Sequence, residues 1–120
     1  MENKISLLVK YPHSNDYVES LLDSDVFQYL LNEGWHFSIN FAGSNRPYIK
    51  LHRTVNGKRQ HRWLHRHIAV GNMDLGHSIE IHHVNFNSLD NTTYNLQPLP
   101  QLQHRRLHHQ RRRELRELQK

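Results

Sequence analysis

The chain has 120 residues, a formal charge of +5 and no cysteine. Its length is that of a single domain, 1–120, and the absence of thiols excludes disulfides, cysteine-ligated zinc and thiol catalysis. No apolar run approaches the ~18 residues of a membrane span, and the first 14 residues are too polar for a signal peptide, so no membrane partner and a cytoplasmic location are expected.

Histidine and charge are both unevenly used. Twelve residues are histidine, which is the commonest metal ligand and the usual general base. Residues 1–45 hold two basic and six acidic residues, a net charge of −4, whereas residues 46–120 hold fourteen basic and five acidic residues, a net charge of +9. Such a basic segment is typical of proteins that bind nucleic acid, although a merely solubilising surface has the same composition.

The first predicted elements are a helix and three strands. Apolar residues at helical spacing predict an amphipathic helix over residues 15–33, with its N-cap at Ser14 or Asn15 and its end at Gly34. Alternating apolar residues predict strands within 36–43 and 47–55. Asn56-Gly57 is a strong hairpin signal, so a return strand should follow it.

The remaining elements complete an α+β class. A short helix is predicted near 63–70, a second hairpin over 78–99, and a basic helix over 100–120. The leucines that fall into the register of this last helix are Leu102, Leu107, Leu115 and Leu118.

The most informative segment is residues 80–96, EIHHVNFNSLDNTTYNL, which His104 follows. Here the chain resembles the HNH endonucleases, specifically the small phage and intron-type homing enzymes, whose core reads roughly His-His-Ile-Asn-Gly-Asn, then Leu-Asp-Asn and Asn-Leu. Residues 63–69, WLHRHIA, look like the segment that often precedes this core. The resemblance covers an HNH core region of about 45–109 and leaves out an N-terminal helix and strand in 1–44.

The resemblance implies a ββα-metal core, here preceded by the N-terminal helix and a β-hairpin. It implies a metal-dependent endonuclease of a phage or mobile element, active in a bacterial host cell as a homing or nicking enzyme. The substrate would be double-stranded DNA, cut to 5′-phosphate and 3′-hydroxyl ends, and a homodimer is one option. The alternatives are a catalytically inactive, HNH-derived DNA-binding module and, less favoured, a histidine-rich metal-storage protein.

Two adjacent histidines are the central feature of this core. A strand over residues 79–84 would point His82 and His83 to opposite faces, so that one faces a metal and the other the substrate. The resemblance implies that His82 is the metal ligand, that His83 is the general base, and that Asn95 accepts a hydrogen bond from the far ring nitrogen of His83. Surface or phosphate-contacting histidines are the alternative.

The second metal ligand is expected on the last helix. Spacing favours His104, with His108, one turn later, as the alternative. The expected cofactor is a divalent ion, magnesium or manganese first, with zinc and nickel as alternatives. The resembling family usually has aspartate where this chain has His82, and the added nitrogen makes the site less selective for magnesium and better suited to manganese, nickel or zinc.

Two loop positions and six cations complete the expectations. Asn91 is assigned to turn formation, and the left-handed turn to Asn85 or Asn87, because Phe86 replaces the usual glycine. The residues expected to contact DNA are Lys58, Arg59, Arg62, Arg66, Arg105 and Arg106. For the last helix, the alternative is a solvated helix whose leucines pack on the domain or on a second subunit.

Overall fold

The computed structural model describes residues 3–41, 43, 45–71, 76 and 78–119, and its mixed helices and strands confirm the α+β class. The elements in chain order are β1 (Lys4–Lys10), β2 (Tyr17–Asp23), α1 (Ser24–Asn32), β3 (His36–Asn40), β4 (Tyr48–Val55), β5 (Lys58–Trp63), α2 (Leu64–Val70), β6 (Ile79–His83), a 3-10 turn (Thr93–Asn95), β7 (Leu96–Pro100) and α3 (Gln101–Leu118).

An antiparallel hairpin, β1 with β2, occupies much of the region predicted to be helical. Val18 and Leu22 are buried, whereas Tyr17 and Glu19, on either side of Val18, are exposed. Burial therefore alternates along this stretch as it does in a strand. The helix prediction for residues 15–33 was therefore wrong over 17–23. Its apolar positions fit both periodicities, and the partner strand β1 decides between them because it satisfies their backbone hydrogen bonds.

The helix α1 begins only at Ser24 and ends before Gly34, whose φ is +82°. The residue that precedes it is Asp23, so the N-cap expected at Ser14 or Asn15 was also wrong, whereas the predicted end at Gly34 is confirmed.

A three-stranded antiparallel sheet, β3-β4-β5, follows. The predicted turn at Asn56-Gly57 is confirmed, since both residues have positive φ (+52° and +77°), as the tight hairpin turn requires. The inner face of the sheet contributes Ile49 and Leu51 to a core that also contains Leu22. This core draws on elements from β1 to α2, so the N-terminal hairpin and the sheet bury apolar surface together.

The second hairpin pairs β6 with β7, and α3 leaves directly from the end of β7. The predicted hairpin over 78–99 and helix over 100–120 are thereby confirmed. Ile81 and Leu96 from the hairpin form a small core with Val70 of α2. Every residue of α3 is described and none is buried; Leu102, Leu115 and Leu118 are exposed and Leu107 is half-buried, so no leucine stripe packs on the domain.

The loop between β6 and β7 is fastened to the N-terminal hairpin. The backbone N–H of Leu21 donates to the carbonyl of Leu89 at 2.9 Å, and the N–H of Asn91 donates to the carbonyl of Leu21 at 2.9 Å. The hydroxyl of Ser20 also donates to the Leu89 carbonyl at 2.8 Å. The β1-β2 hairpin thus fixes the loop that follows His83. Among the described residues, no helix has the length and apolar character needed to cross a membrane.

Candidate metal centre and its neighbouring histidine

Three imidazoles converge where β6 meets the first turns of α3. His82 comes from β6, and His104 and His108 lie one helical turn apart on α3; their ligand nitrogens all lie within 4.8 Å of one another. Nε2 of His104 is 3.0 Å from Nε2 of His108. Two nitrogens bound at about 2.1 Å and at right angles to one ion would be about 3.0 Å apart, so this spacing suits a shared metal. The three histidines could hold a metal ion.

The electrostatics of this three-histidine group also suit a cation. Burial and the neighbouring His104 lower the pKa of His82, and burial with the same neighbour lowers the pKa of His108 to about 4. Both rings are therefore neutral at pH 7, the form that binds metal. Nδ1 of His82 is buried and has no hydrogen-bond partner among the described residues, a costly arrangement that a bound cation would relieve.

The sequence prediction had set His104 and His108 as alternatives, but the structure brings both to His82. Residues four apart on a helix share a face, so both rings can reach the strand beneath them. The four-residue spacing was visible in the sequence, and it is as consistent with a site that uses both histidines as with one that uses only His104 or only His108.

Glu80 is a site residue that the sequence reasoning missed. Its Oε1 lies 2.9 Å from Nδ1 of His104. A carboxylate accepts, so Nδ1 of His104 donates to it and the lone pair of Nε2 is directed into the group. The available signal was position: Glu80 lies two residues before His82, on the same face of β6.

His83 lies on the other face of β6 and is buried beside aromatic side chains. Its ring centroid is 6.2 Å from that of Tyr48 and 5.2 Å from that of His65. Burial lowers the pKa of His83, with an opposing contribution from its hydrogen bond to Asn91. Burial also lowers the pKa of His65 to about 3, so that ring is neutral as well.

The partner of His83 is Asn91, not Asn95. Nε2 of His83 lies 3.0 Å from Oδ1 of Asn91, whose Nδ2 donates to the Ser20 hydroxyl at 3.0 Å. Asn95 instead accepts from the backbone N–H of Asn85 at 3.0 Å and donates to the Asp90 carbonyl at 2.8 Å. The roles expected for the two asparagines are therefore exchanged: Asn95 holds the loop, and Asn91 orients the histidine.

The left-handed position in this loop is Phe86, with φ of +63°, and not Asn85 or Asn87. The strain of about 1–2 kcal/mol is offset by packing, because its ring contacts those of His82 and His108 at centroid distances of 5.0 and 5.2 Å. Phe86 thus forms an apolar wall of the three-histidine group.

A narrow cleft of about 20 Å³, with room for about one water molecule, is lined by His83 as well as by His104 and His108. Arg46 and Tyr48 also line this cleft. The exposed Arg46 is a cation at the rim of this cleft that sequence reasoning did not single out.

The six expected DNA-contacting cations fall into two groups. Five are exposed: Lys58, Arg59 and Arg62 on β5, and Arg105 and Arg106 on α3. Arg66 differs, because its guanidinium donates to the carbonyls of Ile79 at 2.6 Å and Gly76 at 2.9 Å. Arg66 therefore braces the start of β6, and its expected role as a phosphate contact is not supported.

Comparisons of the chain with protein-family models, with curated proteins and with solved structures found no match.

Removing any ring of the three-histidine group should weaken metal binding. We expect His82→Ala, His104→Ala and His108→Ala each to reduce the affinity for Mn²⁺ or Zn²⁺ by at least about tenfold, because each removes one nitrogen ligand. Titration calorimetry measures this, with His109→Ala, an exposed histidine on the same helix, as the matched control. Unchanged affinity in His108→Ala would restrict the site to the other two rings.

Glu80 should act on metal affinity without being a ligand. We expect Glu80→Ala to weaken Mn²⁺ binding by about 10- to 100-fold, because His104 loses the acceptor that orients its ring. Glu80→Gln keeps an acceptor oxygen and should lose less. Equal losses in the two variants, measured by the same calorimetry, would contradict a role through this hydrogen bond.

Proposed function

We propose that the chain is a metal-dependent DNA endonuclease of the HNH type, in which β6, β7 and α3 form a ββα-metal unit. The observation that supports this most is the arrangement of two histidines on one strand. His82 belongs to the three-histidine group, and His83, buried on the other face, lines a cleft together with His104 and His108. Phosphodiester hydrolysis needs a proton acceptor and a positive centre at one phosphate, and this arrangement supplies sites for both.

In this proposal His83 is the general base. Its lowered pKa leaves the ring neutral at pH 7, so that it can accept the proton of an attacking water. Asn91 accepts a hydrogen bond from Nε2–H, which leaves Nδ1 as the atom that takes the proton. Because Asn91 itself is held by Ser20, the tautomer and the direction of the ring are both fixed.

A divalent ion held by the three-histidine group would supply a Lewis acid that offsets charge building on the phosphate oxygens. The chain's own contribution is to hold the three rings and to orient His104 through Glu80. Three nitrogen ligands favour manganese, nickel or zinc over magnesium, which prefers oxygen. Of the two ions expected first from sequence, manganese fits this ligand set better.

The exposed cations on β5 and α3 would neutralise phosphates of a DNA duplex. Such contacts hold DNA without reading its sequence. An inactive DNA-binding module with the same fold is the alternative function, and cleavage assays separate the two.

The His83→Ala substitution should reduce plasmid cleavage by about 10²–10⁴-fold while DNA binding stays nearly unchanged, because a base acts in the transition state. The control is His13→Asn. Residue 13 lies far from residue 83 in the chain, and asparagine tolerates the positive φ of that turn. If the wild type binds DNA but cuts none with any of Mg²⁺, Mn²⁺, Ni²⁺ or Zn²⁺, the inactive module is the correct function.

The pH dependence of cleavage tests whether Asn91 contacts the general base, because the direction of the expected shift is known. Because burial lowers the pKa of His83, the rate at saturating Mn²⁺ should decline at a lower pH than it would with an ordinary imidazole base. In Asn91→Asp the added negative charge stabilises the protonated ring, so the decline should begin at a higher pH. A profile that does not move would contradict contact between residue 91 and the base.

The salt dependence of DNA affinity should distinguish the exposed cations of β5 from Arg66. Neutralising Lys58 and Arg59 together should make the log–log slope of DNA affinity against salt shallower by up to about two units. Arg66→Ala should leave the slope unchanged and lower the melting temperature, since Arg66 donates to two carbonyls. The reverse pattern would show that Arg66, and not the β5 pair, contacts phosphate.

A further inference from the structure

A second, wider pocket of about 340 Å³ lies beside the three-histidine group. Its lining includes Tyr48, Trp63, His65, Glu80, Ile81 and His104. The volume is within the range of pockets that enclose small ligands. The function proposed above does not use this space.

The walls of this pocket are mostly flat rings. The centroids of Tyr48 and Trp63 are 6.2 Å apart, and His65 lies 5.5 Å from Tyr48 and 6.1 Å from Trp63. These rings come from β4, from β5 and from the first turn of α2, whose junction therefore builds the aromatic side of the pocket. Trp63 is half-buried, so part of its ring surface is available to a ligand.

The polar groups of the pocket favour a base over a phosphate. Arg66 lines the pocket, but its guanidinium is committed to the carbonyls of Ile79 and Gly76. Glu80 contributes a carboxylate, which repels a phosphate and accepts hydrogen bonds from the exocyclic amino groups of bases. Nζ of Lys50 lies over the ring of Trp63, 5.0 Å from its centroid, so the ammonium is close enough to meet the backbone of a strand whose base has entered the pocket.

We propose that this pocket receives one unpaired base of the DNA, so that the enzyme favours duplexes with a locally unpaired nucleotide. The inference rests on the endonuclease function proposed above and names its substrate class. His104 belongs to both sites, so a base that enters the pocket and stacks on the accessible part of Trp63 has its neighbouring phosphate close to the three-histidine group. Unstacking is least costly at a mismatch or bulge, which makes such a site the preferred one.

The test compares the affinities of two short duplexes, one perfectly paired and one with a single-base bulge, in the presence of Mn²⁺. The His83→Ala chain is used so that binding is measured without cleavage. We expect the bulged duplex to bind roughly tenfold more tightly, the size of one base–aromatic stack. Equal affinity for the two duplexes, or no binding to either, overturns the proposal.

Variants of Trp63 test whether the pocket causes the preference. Trp63→Ala should abolish it, Trp63→Phe should keep most of it, and Tyr17→Ala, an exposed aromatic on β2, should leave it unchanged. A fluorescent 2-aminopurine in the bulge should be quenched by stacking in the Trp63-containing chain and not in Trp63→Ala. A preference that survives Trp63→Ala, or an equal loss of affinity for both duplexes, overturns the proposal.

These outcomes are separate from those of the endonuclease proposal. If wild-type protein cuts perfect and bulged duplexes equally and binds them equally, the endonuclease function holds and the base pocket is wrong. If the bulge preference is present but no duplex is cut, the pocket stands and the nuclease function is wrong.

Discussion

The hydrogen bonds of the Asn91 amide connect the candidate general base, His83, to the N-terminal hairpin that supports it. Asn91 is 1% exposed, and its side chain joins His83 to Ser20 while its backbone N–H pairs with Leu21. An unsatisfied buried amide group costs about 1–3 kcal/mol, so the loop and the hairpin stabilise each other only in this one register. The β1-β2 hairpin is for this reason part of the site's support and not an appendage to it.

The alternation of a single strand separates two chemical environments. On one face, Glu80 and His82 meet α3, and the arrangement collects nitrogen lone pairs for a cation. On the other face, His83 is enclosed by Tyr48, His65 and Asn91. Burial lowers the pKa of this ring, and the hydrogen bond to Asn91 orients it. Because successive side chains of a strand point in opposite directions, adjacent histidines can serve different roles at one location without competing for the same ion.

Local patterns predicted those parts of the fold that local interactions determine. Asn56-Gly57 fixes its own turn, and the opposed faces of His82 and His83 follow from strand geometry alone. The β1-β2 hairpin was missed because its apolar positions suit both a helix and a strand until β1 is paired with it. Asn91 and Asn95 could not be told apart from sequence, since the choice depends on Ser20, which is 71 residues away in the chain. Phe86 takes a backbone conformation that its residue type disfavours, and its contacts with the rings of His82 and His108 offset that cost.

The helix α3 is held to the domain mainly by the polar contacts of its histidines. None of its residues is buried, and its apolar side chains do not form a packed face, so tertiary burial contributes little to holding it. What attaches it to the hairpin is polar: His104 contacts Glu80, and His104 and His108 meet His82. An ion bound by all three rings would link two turns of α3 to β6, and its binding free energy would therefore also stabilise the position of the helix. The exposed Arg105 and Arg106 follow His104 on that attached segment. The contacts that assemble the three-histidine group therefore also orient two of the cations that the proposed function assigns to DNA.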